Sequence, residues 1–220
     1  MIDFDVIATG SKGNAVVLEK TILVDAGVPF KALQRHYRAL QLVLLSHSHG
    51  DHFKPSTVRK LAAERPSLRF GGCEWMARLL IDSGVDKRNI DVYEPRREYG
   101  YGRFAVEPFP LVHDVPNCGY KIAFADGRKL VYATDTNEIK HVEAKGYDLY
   151  LLEANYGQDE LVERIREKQA RGEYCHEYGA LNNHLSREKA DDWLYSNMGS
   201  NSRYVYLHGH REQEEARYGA

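Results

Sequence analysis

The chain has 220 residues, three cysteines and a formal charge of −2 at neutral pH. That length suits one domain with a sizeable core, and the near-neutral balance does not by itself mark a nucleic-acid binder, although it leaves room for a local basic face. Cys73, Cys118 and Cys175 are odd in number, far apart and free of CxxC spacing, which argues against a disulfide framework or a thiolate zinc site and leaves buried or incidental thiols.

No repeat, low-complexity run or Ser/Gly linker marks a boundary, so residues 1–220 are expected to form one unit. The start, "MIDFDVIATGSKGN", has acidic residues where a secretory signal has basic ones, and no stretch approaches the roughly 20 apolar residues of a membrane span. A cytoplasmic protein without a membrane partner is expected, as monomer or dimer.

In chain order, "FDVIATG", "NAVVLE" and "TILVDAG" are short apolar runs punctuated by glycine-containing turns, which predicts an opening antiparallel sheet. A helical pattern follows at Phe30 to Leu40, then a buried strand at Leu42 to Leu45. "PSTVRKLAAERP" has proline in its first helical turn and Pro66 as a stop, and "CEWMARLLIDSG" reads as a second amphipathic helix. Strands are predicted near Val92 and at Phe104 to Phe109, Tyr120 to Phe124, Leu130 to Ala133 and Leu149 to Leu152, with "DGRK" turning a hairpin. Helices near Asp159 to Ala170 and Arg187 to Tyr195 precede a last strand, "RYVYL". This order predicts a layered α/β fold with sheets inside and helices outside.

"LLSHSHGDHFKP" carries the chemistry. His47 and His49 stand two apart at a strand end, so they project to one side and can hold one ion. Asp51 and His52 follow Gly50, which lets the backbone turn, and can serve a second position. Imidazole and carboxylate donors suit zinc first, and manganese or iron as well. The alternative is a polar loop whose histidines only hydrogen-bond their neighbours. Further donors stand after apolar runs: His113 in "FPLVHDVPNCGY", Asp135 in "LVYATDTNE" and His208 in "YVYLHGH". Each alone could be a packed strand-end residue, and Asp135 could cap a helix beginning at "TNEIKHV".

"HSHGDH" with these later residues resembles the HxHxDH pattern of the metallo-β-lactamase superfamily. "TGSKGN", "ATDT" and "NNHLSREKA" are similar to segments of its YycJ/WalJ branch. The resemblance implies a metallo-β-lactamase αββα sandwich, two central mixed β-sheets flanked by helices. It also implies two divalent metal ions, one on His47, His49 and His113, the other on Asp51, His52 and His208, with Asp135 bridging and a water or hydroxide between the ions as nucleophile. The branch's last ligand is usually followed by Leu-Ser, whereas this chain has Gly209-His210-Arg211, so His210 competes with His208, and the strand end favours His208.

In the tRNase Z and related branches a strand-end glutamate pairs with a histidine that protonates the leaving oxygen. Glu153 in "LYLLEAN" and His184 in "NNHLS" stand in the matching order, with Asn183 where the pattern has Gly. Asp51, Glu153 and His184 are therefore the expected catalytic residues. The alternative places His184 merely beside the helix starting near Ser186. His36, His141 and His176 read as surface or structural.

The expected activity is that of a phosphodiesterase or nuclease, with DNA preferred over RNA as partner and an exonuclease as the branch implies. Arg164, Arg166, Lys168 and Arg171, followed by Tyr174 and Tyr178, could track phosphates and stack bases. They alternate with Glu160, Glu163 and Glu167, so a solvated helix laced with ion pairs reads equally well. The competing functions are a hydrolase of cyclic phosphodiesters, thioesters or lactones, and a non-catalytic metal-binding module. A flavodiiron-like protein would carry a carboxylate where His49 stands.

Overall fold

The computed structural model describes residues 1–175 and 177–209; His176 and His210 lie outside them. The chain divides into two compact units, Met1–Tyr101 with Val106–Pro108, and Gly102–Ala105 with Phe109–Ala220.

The first unit begins with β1 (Phe4–Ala8), β2 (Ala15–Leu18) and β3 (Ile22–Val24), paired antiparallel. β4 (Leu42–Leu45), β5 (Arg69–Cys73) and β6 (Ile90–Tyr93) then add in parallel, giving a six-stranded mixed sheet in sequence order. β2, β3 and β4 are buried at every position, which is why they read as unbroken Val, Leu and Ile runs rather than alternating ones. α1 (Pro55–Glu64) and α2 (Glu74–Asp82) connect the parallel strands. Pro55 opens α1 where no helical N–H is needed. Val58 and Leu61 of α1 and Met76 and Leu80 of α2 pack with Val17, Leu23, Val43, Leu45 and Phe70 of the sheet.

A second six-stranded mixed sheet contains β7 (Tyr99–Gly100), β8 (Phe104–Leu111), β9 (Asn117–Phe124), β10 (Lys129–Ala133), β11 (Leu149–Glu153) and β12 (Arg203–Leu207). β9 and β10 form the hairpin expected at "DGRK", while β10, β11 and β12 are parallel. α3 (Gln158–Ala170), α4 (Glu177–Asn183) and α5 (Arg187–Asn197) lie between β11 and β12 in the chain. Ser186 caps α5 by accepting from Lys189 N–H at 3.3 Å. Ala190, Trp193 and Leu194, at helical spacing, then pack on Val131, Ala133, Tyr150 and Leu152. Tyr156, Leu161 and Ile165 form a smaller cluster under Ala180 and Leu181 of α4.

Two mixed sheets flanked by helices agree with the expected fold class. The helix expected at Phe30 to Leu40 is instead a 3₁₀ turn at Phe30–Leu33 followed by further turns. Leu33 and Leu40 are fully buried and Phe30 and Tyr37 pack beside them, so the helical spacing of the apolar residues is real, but nothing in the structure explains why the stretch closes as turns rather than as a continuous α-helix. β5 and α4 were not anticipated. Among the described residues Cys73, Cys118 and Cys175 form no disulfide, and the first two are buried. No described helix is long and apolar enough to cross a membrane.

Candidate functional site

In the first unit β4 ends at Leu45 and delivers Ser46, His47, His49, Asp51 and His52 into the following turn. His52 and Phe53 N–H both bond back to His49 carbonyl, at 2.9 and 2.7 Å, which closes the turn. The rings of His47 and His49 meet edge-on with centroids 4.9 Å apart, and those of His47 and His52 at 4.2 Å.

The neighbouring β3 supplies the support. Asp25, one residue past its end and fully buried, sits in the left-handed region at φ 60°. Its Oδ2 lies 2.7 Å from His52 Nδ1, and its Oδ1 accepts from Ser46 N–H and Oγ–H, both at 2.9 Å. Ser46 Oγ lies in turn 2.9 Å from His47 Nδ1. A carboxylate only accepts, so His52 carries its proton on Nδ1 and keeps a lone pair on Nε2.

The "TGSKGN" turn closes over the same loop. Asn14 N–H bonds Asp51 carbonyl at 2.6 Å, and its side-chain amide lies 2.7 Å from His52 Nε2 and 3.2 Å from the Asp51 carbonyl. Asn14 Oδ1 accepts from Gly10 N–H at 2.8 Å, which fixes the orientation of the amide. The glycine this packing requires is Gly27, where a Cβ would stand 1.7 Å from the Asp51 carbonyl oxygen. At Gly50, the glycine singled out from sequence, a Cβ would meet nothing within 4 Å.

In the second unit the polar residues again stand just past strand ends. Asp135, after β10, and His208, directly after β12, both adopt φ 56°. Asp135 caps no helix; the chain continues through bends, held by Asn117 Nδ2, which donates to the carbonyls of Thr134 and Asp135 at 3.0 and 2.7 Å. Glu153, the last residue of β11, is fully buried. Its Oε2 accepts from Thr136 N–H at 2.8 Å and its Oε1 lies 2.6 Å from His184 Nδ1. The same nitrogen is 3.3 Å from Asp135 Oδ1, and His208 Nε2 is also 3.3 Å from that oxygen. The rings of His184 and His208 stack with centroids 5.0 Å apart. Burial alone would depress the His184 imidazole, but the carboxylates of Asp135 and Glu153 outweigh it and raise its pKa to about 10.

His113 Nδ1 donates to Asn183 carbonyl at 3.2 Å, so the residue standing where the pattern has Gly holds a histidine through its backbone. Asn155, in the turn after β11, donates to His208 carbonyl at 2.8 Å and lies 3.0 Å from His208 Nδ1.

Each unit thus gathers its own share of the expected residues: His47, His49, Asp51 and His52 in the first, and His113, Asp135, Glu153, His184 and His208 in the second. One donor atom from each of Asp135, Glu153, His184 and His208 lies within 4.8 Å of the others. Two imidazoles and two carboxylates at that spacing suit a divalent ion. Sequence reasoning missed Asp25, Ser46 and Asn155; it read "GSKGN" as a tight turn with Ser11 and Asn14 as candidates for the site mouth, and Asn14 stands against the Asp51–His52 loop. His36 and His141 are structural: His36 Nε2 lies 3.2 Å from Asp5, and His141 Nε2 lies 2.8 Å from Pro110 carbonyl.

Residues 20–194 match the family model of the β-lactamase superfamily domain, and the chain belongs to the metallo-β-lactamase superfamily. It is similar in fold to the metallo-β-lactamase fold protein YhfI from Bacillus subtilis, at 16% identity and a TM-score of 0.71, over 94% of this chain and 86% of that one. The short form of human tRNase Z aligns at 17% identity and a TM-score of 0.71, over 97% and 95% of the two chains. A diphosphatase of the PhnP family aligns at 13% identity and a TM-score of 0.65, over 95% and 87%. No curated protein matches the sequence.

Proposed function

We propose that this chain is a metal-dependent phosphodiesterase acting on nucleic acid, an exonuclease-like enzyme of the YycJ/WalJ type with DNA preferred over RNA. The superfamily's members are metal-dependent hydrolases, nucleases and phosphodiesterases among them. In this reading His47, His49, Asp51 and His52 of the first unit and His113, Asp135 and His208 of the second would be the ligands of two divalent ions, with zinc the first candidate and manganese or iron also suited. Bound there, the ions supply an activated water at neutral pH and positive charge facing the phosphoryl oxygens.

The observation that carries the reading is the Glu153–His184 pair at 2.6 Å. A phosphodiester releases an alkoxide, which leaves faster when a positioned acid protonates it, by roughly 10²- to 10⁴-fold. With Nδ1 engaged by Glu153, His184 hands over the proton from Nε2. Glu153, oriented by Thr136 N–H, keeps the ring in place and charged. Asp25 and Asn14 hold the Asp51–His52 turn while this happens.

The charges of α3 favour a second reading, a hydrolase of small phosphodiesters. Its exposed charged residues are Asp159, Glu160, Glu163 and Glu167 against Arg166. Lys168 is paired with Glu177 and Arg171 with Glu173, so neither is held ready for phosphates.

The test compares wild type, Asp51→Ala and His184→Ala on end-labelled single- and double-stranded DNA and RNA and on bis(p-nitrophenyl) phosphate. Asp51→Ala should lose activity on all of them. His184→Ala should lose polynucleotide cleavage far more than hydrolysis of the p-nitrophenyl ester, whose leaving group is a stabilised anion. Cleavage of the small ester alone, indifferent to His184→Ala, would move the reading to the small-molecule hydrolase.

A further inference from the structure

Asn14 ends the turn between β1 and β2, is 2% exposed, and faces the fully buried His52 of the same unit. His52 donates its Nδ1 proton to Asp25, so Nε2 holds the lone pair of the ring. Asn14 Nδ2 stands 2.7 Å from that atom. It also stands 3.2 Å from the carbonyls of Gly10 and Asp51 and 3.4 Å from Asp51 Oδ2, while Asn14 Oδ1 accepts from Gly10 N–H at 2.8 Å. Turning the amide over would set its oxygen against four acceptors and its nitrogen against a donor, which fixes the N–H toward His52.

The contact to His52 is the shortest of the four, and both side chains are shielded from solvent, where a hydrogen bond is stronger than in water. An imidazole lone pair either accepts a hydrogen bond or ligates a cation; it cannot do both. The amide has two protons, so it can release Nε2 and still place both on Gly10 and Asp51.

We propose that Asn14 is a latch on His52: its amide holds the Nε2 lone pair that a divalent ion requires, and the ion binds there by displacing it. This rests on the metal-dependent reading above, in which His52 is a ligand, and an imidazole backed by a carboxylate on its other nitrogen fits such an ion. The latch stabilises the metal-free fold and weakens one metal position to the same extent, so that position needs more free metal to fill than its donors alone would set. A side chain that only supported the loop would act the other way, since its loss would weaken metal binding.

The full-length protein, stripped of metal, is titrated with zinc against a competing chelator while the His52 ring nitrogens are followed by NMR, for wild type, Asn14→Ala and Asn14→Asp. In Asn14→Ala the zinc that shifts the His52 signals should bind roughly 2- to 12-fold more tightly, the worth of one neutral hydrogen bond. The metal-free variant should melt below wild type, and saturating zinc should narrow the gap. Asn14→Asp keeps an acceptor for Gly10 N–H and puts an oxygen where the donor stood, so it should tighten zinc at least as far. In metal-free wild type the Asn14 amide should show a coupling across the hydrogen bond to His52 Nε2 that vanishes on zinc addition, a measurement that needs no variant to fold. Absence of that coupling, or a zinc affinity unchanged or weakened in a folded variant, overturns the latch and leaves the metal-dependent reading standing. Wild type that takes up no zinc and shows no His52 shift overturns both.

Discussion

Asp25 Oδ2 and His52 Nδ1 lie 2.7 Å apart, both side chains fully buried and 27 residues apart in sequence. The bond sets the tautomer of His52, and Ser46 donates to the same carboxylate through its N–H and its hydroxyl. Asp25→Asn keeps the shape and tolerates the left-handed backbone, but its amide would have to face one of these donors. The variant should lose about 2 kcal/mol of stability in the metal-free protein. Its zinc affinity should fall by roughly 10- to 100-fold, as for other residues that orient a ligand. Urea unfolding and zinc titration read the two effects separately, and an unchanged affinity would remove Asp25 from any ligand-orienting role.

Gly27 and Gly50 should respond in opposite ways to the same methyl group. A Cβ 1.7 Å from the Asp51 carbonyl cannot be accommodated without moving the His49–His52 turn, so Gly27→Ala should be poorly folded or lose several degrees of melting temperature. Gly50→Ala meets nothing and should melt within a degree or two of wild type. Equal melting temperatures for the two variants would refute the close approach of the chain at Gly27.

The His184 imidazole gives the metal-free protein a defined pH signature. Its pKa is raised from the ordinary 6.5 to about 10, burial opposing and the Asp135 and Glu153 carboxylates prevailing. A group raised on folding stabilises fully below its unfolded value, and that contribution fades as pH climbs through the folded value. Between pH 6.5 and 10 the metal-free protein should therefore lose this share of its stability. Glu153→Gln should bring the His184 midpoint, followed by its ring proton resonance, down by at least one pH unit. A wild-type midpoint near 6.5 would show that the pair does not hold the proton.

Lys168 and Glu177 pin α4 from beneath, with Glu177 buried and Lys168 mostly so. Removing either partner breaks a largely buried ion pair, at a cost of about 3 kcal/mol. Lys168→Met and Glu177→Leu should each destabilise the protein and speed proteolysis of the α3–α4 hairpin, and the double variant should recover most of the loss. Strict additivity in that double-mutant cycle would mean that the two side chains do not act as a pair.

The strand-end placement of His47, Asp135, Glu153 and His208 was readable because each follows an apolar run, and the runs of β4 and β11, parallel to both neighbours and buried at every position, have no polar alternation to confuse the pattern. Asp25 follows "TILV" in the same way and was passed over because it lies outside the histidine motif. β5 escaped notice because "RFGGC" pairs two poor strand formers, yet Gly71 is required there: a Cβ would stand 2.2 Å from the Tyr93 hydroxyl. α4 escaped because it is seven residues long with Gly179 inside it, and its stability comes from the Lys168 pair and the Tyr156 cluster rather than from its own propensity. Gly50 was chosen over Gly27 because local sequence shows where a chain can turn, whereas a close approach between segments shows only once they are folded.

Asp25, Asp135 and His208 all sit at φ near +60°, a conformation that costs a side-chain-bearing residue roughly 1 kcal/mol or more and that glycine adopts freely. Selection for folding alone would drift these three positions toward glycine or asparagine. A relative that kept the sheets but carried glycine at all three would have traded its chemistry for conformational ease, and its sequence would record the loss before any assay did.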